Sequence, residues 1–373
     1  MEKIILIPDS FKGTLSSQEV CEAMKQAVVK ICPQVQVVTI PVADGGEGTV
    51  DAFLAAMSGR KIHCKVQGPL GEPLDSFYGI LSDGSVVIEM AAAAGLPLVS
   101  GRLSVGTATT YGVGELMQHA ITAGTKKIIL GLGGSATNDG GCGAAAALGC
   151  VFYNYQGEKF VPTGDTLSDI ASIDIRKLQK NIAGVEVVVM CDITNPLCGP
   201  LGAATIFAPQ KGASIEQVES LDAGLAHLAQ KLVELGYSPV DKLPGAGAAG
   251  GMGAGAAAFF QGRLMRGIDV VLDAVNFTQL LAGADVVFTG EGKFDNQSLM
   301  GKVVAGVAAR AKVAGVPVIC LAGAVDEVSE QAYEKGLTAV FSINRKPVPF
   351  SEAVTCSREN LVLVMENILR LLV

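Results

Sequence analysis

Short apolar runs rich in β-branched residues recur along the chain, at Ile4–Ile7, Val35–Ile40, Val86–Ile88, Lys127–Leu130, Val185–Met190, Val286–Thr289 and Val316–Leu321. Within a few residues each gives way to glycine or an acidic side chain, and runs of this length and composition read as strands. Between several of them the apolar positions repeat at helical spacing, over Ser17–Ile31, Val105–Ala123, Ile215–Leu235 and Lys302–Ala314. Ser16 or Ser17 can cap the helix that carries Glu19, and Ser214 the helix that carries Glu216 and Gln217. Strands alternating with helices of this length predict an α/β protein with much parallel sheet.

Residues 66–86 differ, because polar and apolar positions alternate there and an Asp83-Gly84 turn comes near their end. That is a hairpin signal. It predicts a second, mixed α/β domain inserted into a discontinuous parallel-sheet domain, with 1–64 and 283–373 forming the first and 65–282 the second. At 373 residues the chain exceeds what one core usually serves. A cleft between the two bodies is the expected place for a small-molecule site.

Composition narrows the function classes. Apolar residues make up 49% and charged residues 17%, which supplies a large core and argues against disorder. The net charge is -8 and no long basic run occurs, so neither nucleic acid nor an anionic membrane surface is an expected partner. The nine cysteines are scattered without a C-x-x-C pair, and the three histidines form no H-x-x-x-H motif. Reduced thiols in a cytoplasmic protein are expected, and a zinc site or histidine triad is not. The longest uncharged stretch, Leu243 to Gly262, reads as a packed glycine- and alanine-rich segment rather than a membrane span.

The residues with chemical potential cluster just past the strand ends. Asp9, Asp44, Asp192 and Glu291 each follow a strand, where open α/β sheets bind ligands. An acidic residue after a strand can simply cap the next helix. Four of them, each near glycine, point instead to a site that needs a cation or lysine among its carboxylates. Asp9, Ser10 and Lys12 offer a carboxylate, a hydroxyl and an ammonium within one turn of chain, and Asp44 and Glu47 sit in a glycine-rich loop that opens a helix. The run from Gly131 to Gly141 lies between a strand and a helix, so Gly133, Gly134, Ser135 and Asn138 are candidates for a phosphate cradle. Gly131, Gly133 and Ala136 fit G-x-G-x-x-A, but the acidic partner of a dinucleotide fingerprint is only loosely matched by Glu158. No G-x-x-x-x-G-K-[ST] occurs, which excludes a P-loop. A phosphoryl-transfer site needs alignment, charge neutralisation and a carboxylate near the acceptor hydroxyl. Asp192 and Asp295 both suit that last role.

Six stretches together resemble the bacterial type I glycerate kinase family: PDSFKGTLS at 8–16, PVADGGEGTVDA at 41–52, GLGGSATNDGG at 131–141, CDITNPL at 191–197, PGAGAAGGMGAG at 244–255 and TGEGKFDNQSLMGK at 289–302. Lys293 stands where the family leads one to expect arginine, and Cys142 where it has another small residue. The resemblance implies a Rossmann/flavodoxin-like parallel-sheet domain with a mixed α/β domain inserted in it. It also implies ATP and Mg²⁺, and D-glycerate as the acceptor that becomes 2-phosphoglycerate. On that reading Lys12, Asp192 and Asp295 are catalytic, and Asp9, Ser10, Asp44, Glu47 and Lys211 bind substrate. Gly133, Gly134, Ser135, Asn138, Gly247 and Gly250 would hold ATP phosphates, and Asp192 and Glu291 the metal. A 3-phosphoglycerate product, another small hydroxy acid as acceptor, a silent nucleotide-binding protein and a dinucleotide-dependent oxidoreductase are the alternatives. The oligomeric state is expected to be monomer or homodimer.

Overall fold

A computed structural model describes residues 1–299, 301–326 and 328–373. The chain divides into two compact units. The first comprises Met1–Ala43, Asp51–Ser58 and Ile268–Val373, and the second Asp44–Val50 and Gly59–Gly267. The chain thus passes between units at 43/44, 50/51, 58/59 and 267/268, and the last two compare with the 64/65 and 282/283 of the sequence pattern. The difference has local causes. Gly59–Gln67 is a strand paired with Pro73–Leu81 of the second unit. The helix Gly267–Ala274 is tied to the first unit by Arg310, which reaches Asp273 at 2.7 Å and Asp269 at 3.7 Å.

The first unit is built on a five-stranded sheet, all parallel, in the spatial order Ala339–Ser342, Val318–Val325, Val286–Phe294, Lys3–Leu6, Gln36–Thr39. Numbered in chain order within the unit, that is 2-1-3-4-5, the flavodoxin-like arrangement, and the order reverses between Lys3–Leu6 and Val286–Phe294. The helix Ser17–Ile31 starts with a capping box: Ser16 Oγ accepts from the Glu19 amide while the Glu19 carboxylate accepts from the Ser16 amide. Its apolar stripe, Val20, Met24, Ala27 and Val28, is buried with Ile4, Leu6, Val286 and Phe288 of the sheet. The C-terminal helix Phe350–Leu372 closes the same core through Leu361, Met365, Ile368 and Leu369. Each such fully buried side chain contributes about 1.5–3 kcal/mol over leaving it in water. No sequence signal had singled out this helix.

The second unit carries a six-stranded mixed sheet in the order Arg263–Met265, Glu186–Met190, Lys127–Gly131, Val86–Glu89, Pro73–Leu81, Gly59–Gln67. The first four strands are parallel and the last two antiparallel. The expected hairpin region is there, with Gly84 at φ +82° in the turn and the Asp83 carboxylate accepting from the Ser85 amide at 2.9 Å. A small antiparallel sheet of Val151–Tyr153, Lys159–Phe160 and Ser172–Asp174 lies apart from it. The helix expected over Val105–Ala123 begins only at Tyr111, since residues 104–110 turn to deliver Thr109 and Thr110 to Asp139. Ala248–Phe259 occupies the Leu243–Gly262 stretch and is interrupted by left-handed backbone at Ala249, Gly250 and Gly251. Among the described residues no helix is long and apolar enough to cross a membrane.

Candidate active site

In the first unit a cavity of about 330 Å³ opens beyond the carboxyl ends of the parallel strands. Asp9, Ser10 and Lys12, from the end of Lys3–Leu6, and Glu291 and Asp295, from Val286–Phe294, line it together. These two strands flank the point where the strand order reverses, the position at which open α/β sheets place their ligands. Five candidates, spread over two distant motifs, are therefore brought to one cavity. Glu291 does not come after its strand; it lies within it, because the pairing runs on through Gly290, Glu291, Lys293 and Phe294. A Cβ on Gly290 would stand 2.3 Å from the Leu321 carbonyl, so the strand approaches its neighbour in a way only glycine allows. Met300 of the same motif falls outside the described residues.

Glu291 is 6% exposed, and its Oε1 has no hydrogen-bond partner among the described residues. Burial pushes its carboxyl up to about 7; the nearby Asp9 and Asp295 add to the effect, while the Ser298 hydroxyl and the Lys302 ammonium oppose it. The Asp9 carboxylate accepts from the Ser10 amide at 2.6 Å. Lys293 lies 2.8 Å from Asp326 and 3.8 Å from Asp295. The cavity lining thus carries three carboxylates beside Lys12, Lys293 and Lys302. An all-oxygen donor set with one buried, unpartnered carboxylate oxygen suits a hard divalent cation held by one or two carboxylates, with waters and phosphate oxygens completing its shell. Among the described residues no three His, Cys, Asp or Glu groups already stand together as a closed metal site.

The second unit holds a separate cluster around the glycine loop 131–141. Lys211 is 3% exposed, and its Nζ donates to Ser135 Oγ and to the Thr137 carbonyl, each at 2.8 Å. Burial lowers its ammonium to about 7, against a pull upward from Asp139. Asp139 is fully buried and accepts from the Thr110 amide at 2.7 Å, Thr110 Oγ1 at 2.8 Å, the Gly141 amide at 3.1 Å and the Gly143 amide at 3.2 Å. Even so, burial dominates and raises its carboxyl above the usual range. Three buried polar atoms in the same loop lack partners: Thr137 Oγ1, Asn138 Oδ1 and Asn138 Nδ2. Orphaned donors and acceptors beside a buried lysine mark a place for a polar ligand or ordered water. Gly133 and Gly134 belong to the loop, and the Gly133 amide donates to the Gly45 carbonyl at 2.9 Å.

Other predicted residues take distinct places. Asp44 and Glu47 are exposed in the loop that packs through Gly45 onto 131–133. Asp192 is exposed and accepts from the Gly267 amide at 2.7 Å. Gly247 and Gly250 are buried, and a Cβ there would stand 2.3 Å from the Pro196 carbonyl and 2.0 Å from the Thr137 carbonyl. Close backbone packing therefore accounts for both glycines. The sequence reading missed Asp139, whose signal was its position ahead of Gly140-Gly141 at the start of a helix. It also missed the cavity wall from Asn344 to Ser357, whose small and apolar residues carry no chemical signal.

Comparison with known proteins adds a family to this geometry. A model described as the glycerate kinase family matches residues 4–373. The chain is 45% identical over 368 residues to a glycerate kinase of Bacillus cereus, covering 98% of this chain and 97% of that one. It is 42% identical over 368 residues to a glycerate 2-kinase of Escherichia coli K12, with 98% and 97% covered. A glycerate kinase 2 crystal structure from Salmonella typhimurium LT2 superposes with a TM-score of 0.89 at 43% identity, covering 100% of this chain and 98% of that one.

Proposed function

The chain belongs to the glycerate kinase family, and we propose that it transfers the γ-phosphoryl group of ATP to D-glycerate, giving 2-phosphoglycerate and ADP. The observation that carries this reading is the cavity at the strand-order reversal, where Glu291 has a buried, unpartnered oxygen among further carboxylates and lysines. A site of that composition suits a phosphoryl group, which needs positive charge on its oxygens and a carboxylate at the attacking hydroxyl. In the first unit Lys12 neutralises charge on the transferring group, Asp295 is a candidate to accept the hydroxyl proton, and Asp9 and Ser10 orient substrate. Glu291 would hold Mg²⁺, which when bound neutralises phosphate charge. In the second unit Asp192 is the other candidate proton acceptor or metal ligand. Asp44 and Glu47 offer acceptors for substrate hydroxyls. Lys211, Ser135 and Asn138 form one buried cluster rather than two subsites, and we assign to it a single anionic group of the reactants, carboxylate or phosphate.

A phosphorus NMR spectrum of the product from ATP and D-glycerate tests the reading. A phosphate on the methine oxygen couples to one proton and gives a doublet, whereas one on the terminal oxygen couples to two and gives a triplet. A doublet is expected. A triplet moves the attack to the terminal hydroxyl, and no new phosphoester at all removes the kinase reading. Among variants, Asp192→Asn or Asp295→Asn should lower kcat by about 10²–10⁴-fold, and whichever does so is the proton acceptor. If both turn over normally, neither is.

A further inference from the structure

The first-unit cavity has lining residues that the proposed transfer step does not use. Its volume, about 330 Å³, lies in the ~300–1,000 Å³ range of pockets that bury drug-sized ligands, far beyond the needs of a three-carbon acid. Phe11, Phe350, Ala353 and Val354 add apolar surface to a lining that also carries the ionisable groups. Phe350 is the first residue of the C-terminal helix and is 72% exposed. An aromatic ring left in water at the rim of a cavity is a platform on which a flat ring can stack. Ala353, 8% exposed, lines the same cavity three residues on from Phe350. The polar groups on the wall are fixed from behind. Asn344 Nδ2 donates to the Gly323 carbonyl at 2.7 Å, which sets the plane of its amide, and Ser357 Oγ spends its only donor on the Ala353 carbonyl at 2.9 Å. What remains on offer, the Asn344 and Ser357 oxygens and the second Asn344 N–H, matches a heteroaromatic ring bearing an exocyclic amino group and a ring-nitrogen acceptor.

We propose that this wall is the subsite for the base of an adenine nucleotide, with the ring stacked on Phe350 and the phosphates directed toward Lys12 and Lys302. Size, the presence of apolar and charged groups in one lining, and the exposed aromatic ring each support it, and together they fit a ligand that has a flat apolar part and an anionic part. The assignment rests on the reading of ATP as phosphoryl donor, and it adds where the nucleoside sits.

The chain has no tryptophan, so Phe350→Trp introduces a single indole at the rim. Its fluorescence should change on adding ADP or adenosine, and not on adding tripolyphosphate or D-glycerate. In parallel, ADP binding to Phe350→Ala, measured by calorimetry without acceptor, should weaken by about 5- to 100-fold. Phe350→Tyr should stay within about threefold of the unaltered protein, and the KM for D-glycerate should be unchanged in all three variants. Equal ADP affinity in Phe350→Ala and the unaltered protein overturns the subsite while leaving phosphoryl transfer intact. Failure of the unaltered protein to bind any adenine nucleotide overturns it too. Tight ADP binding that depends on Phe350, with no phosphoester formed from D-glycerate, instead retains the subsite and overturns the proposed reaction.

Discussion

Replacing Lys211 with methionine removes a buried ammonium while keeping an unbranched side chain of similar length. Two effects oppose each other. Ser135 Oγ and the Thr137 carbonyl lose their donor, which costs about 1–3 kcal/mol for each group left unsatisfied and depends little on pH. The wild-type lysine carries the opposite term. Its ammonium falls from 10.5 to about 7 on folding because burial disfavours the charge. At about 1.4 kcal/mol per pH unit, the folded protein bears a penalty of about 5 kcal/mol. That penalty is present in full below pH 7, where both folded and unfolded chains hold the proton, and it fades as the pH rises toward 10.5. About 2 kcal/mol of it remains at pH 9. The wild type should therefore gain about 3 kcal/mol from this one group between pH 6 and pH 9, and Lys211→Met should gain none of it. Urea unfolding of both proteins at the two pH values, extrapolated linearly to water, measures the difference. Background titrations cancel in the comparison. If the stability difference between wild type and variant is the same at both pH values to within about 1 kcal/mol, Lys211 is not a neutralised buried amine and the argument fails.

Two further perturbations probe the remaining buried charges. The Glu291 carboxyl rises from 4.5 to about 7 on folding, so its penalty is absent below pH 4.5 and complete above pH 7. Glu291→Gln should accordingly be more stable than wild type by up to about 3 kcal/mol at pH 8 and show no such advantage at pH 4.5, read by the same unfolding curves. Asp139→Asn turns an acceptor of five amide and hydroxyl bonds into a group with one fewer acceptor oxygen. It should cost about 2–4 kcal/mol and lower Tm by several degrees, and an unchanged Tm would show that the loop does not depend on this carboxylate.

How much of this was legible varied with the range of the signal. The helices Ser17–Ile31 and Ile215–Glu234 match the sequence reading closely, since each begins with a serine whose hydroxyl accepts from an amide three residues on. The hairpin was readable for a similar reason: Asp83-Gly84 is a turn that needs only its own neighbours. Contacts across long separations were not. Lys211 and Ser135 are 76 residues apart, and the pattern placed them in different subsites before the structure joined them. Glycines carry more than one meaning in a sequence. Gly247 and Gly250 read as phosphate-holding positions, and each also lies where a backbone carbonyl occupies the space of a Cβ. The wall around Phe350 was silent because stacking surfaces and small residues look like ordinary helix in one dimension.

The discontinuous path of the first unit also sets the order in which it can be made. Its strand Lys3–Leu6 hydrogen-bonds to Gln36–Thr39 on one side and to Val286–Phe294 on the other. The first partner leaves the ribosome almost at once, but roughly 250 residues of chain must then be synthesised before the second appears, about 10 to 50 seconds at ~5–20 residues per second. Throughout that interval Ile4, Leu6 and the apolar face of Ser17–Ile31 exist without the strand that will cover them, while the whole of the second unit is completed. A nascent chain of this protein therefore carries an unpaired, hydrophobic strand edge for most of its synthesis, which is where chaperone contact would begin.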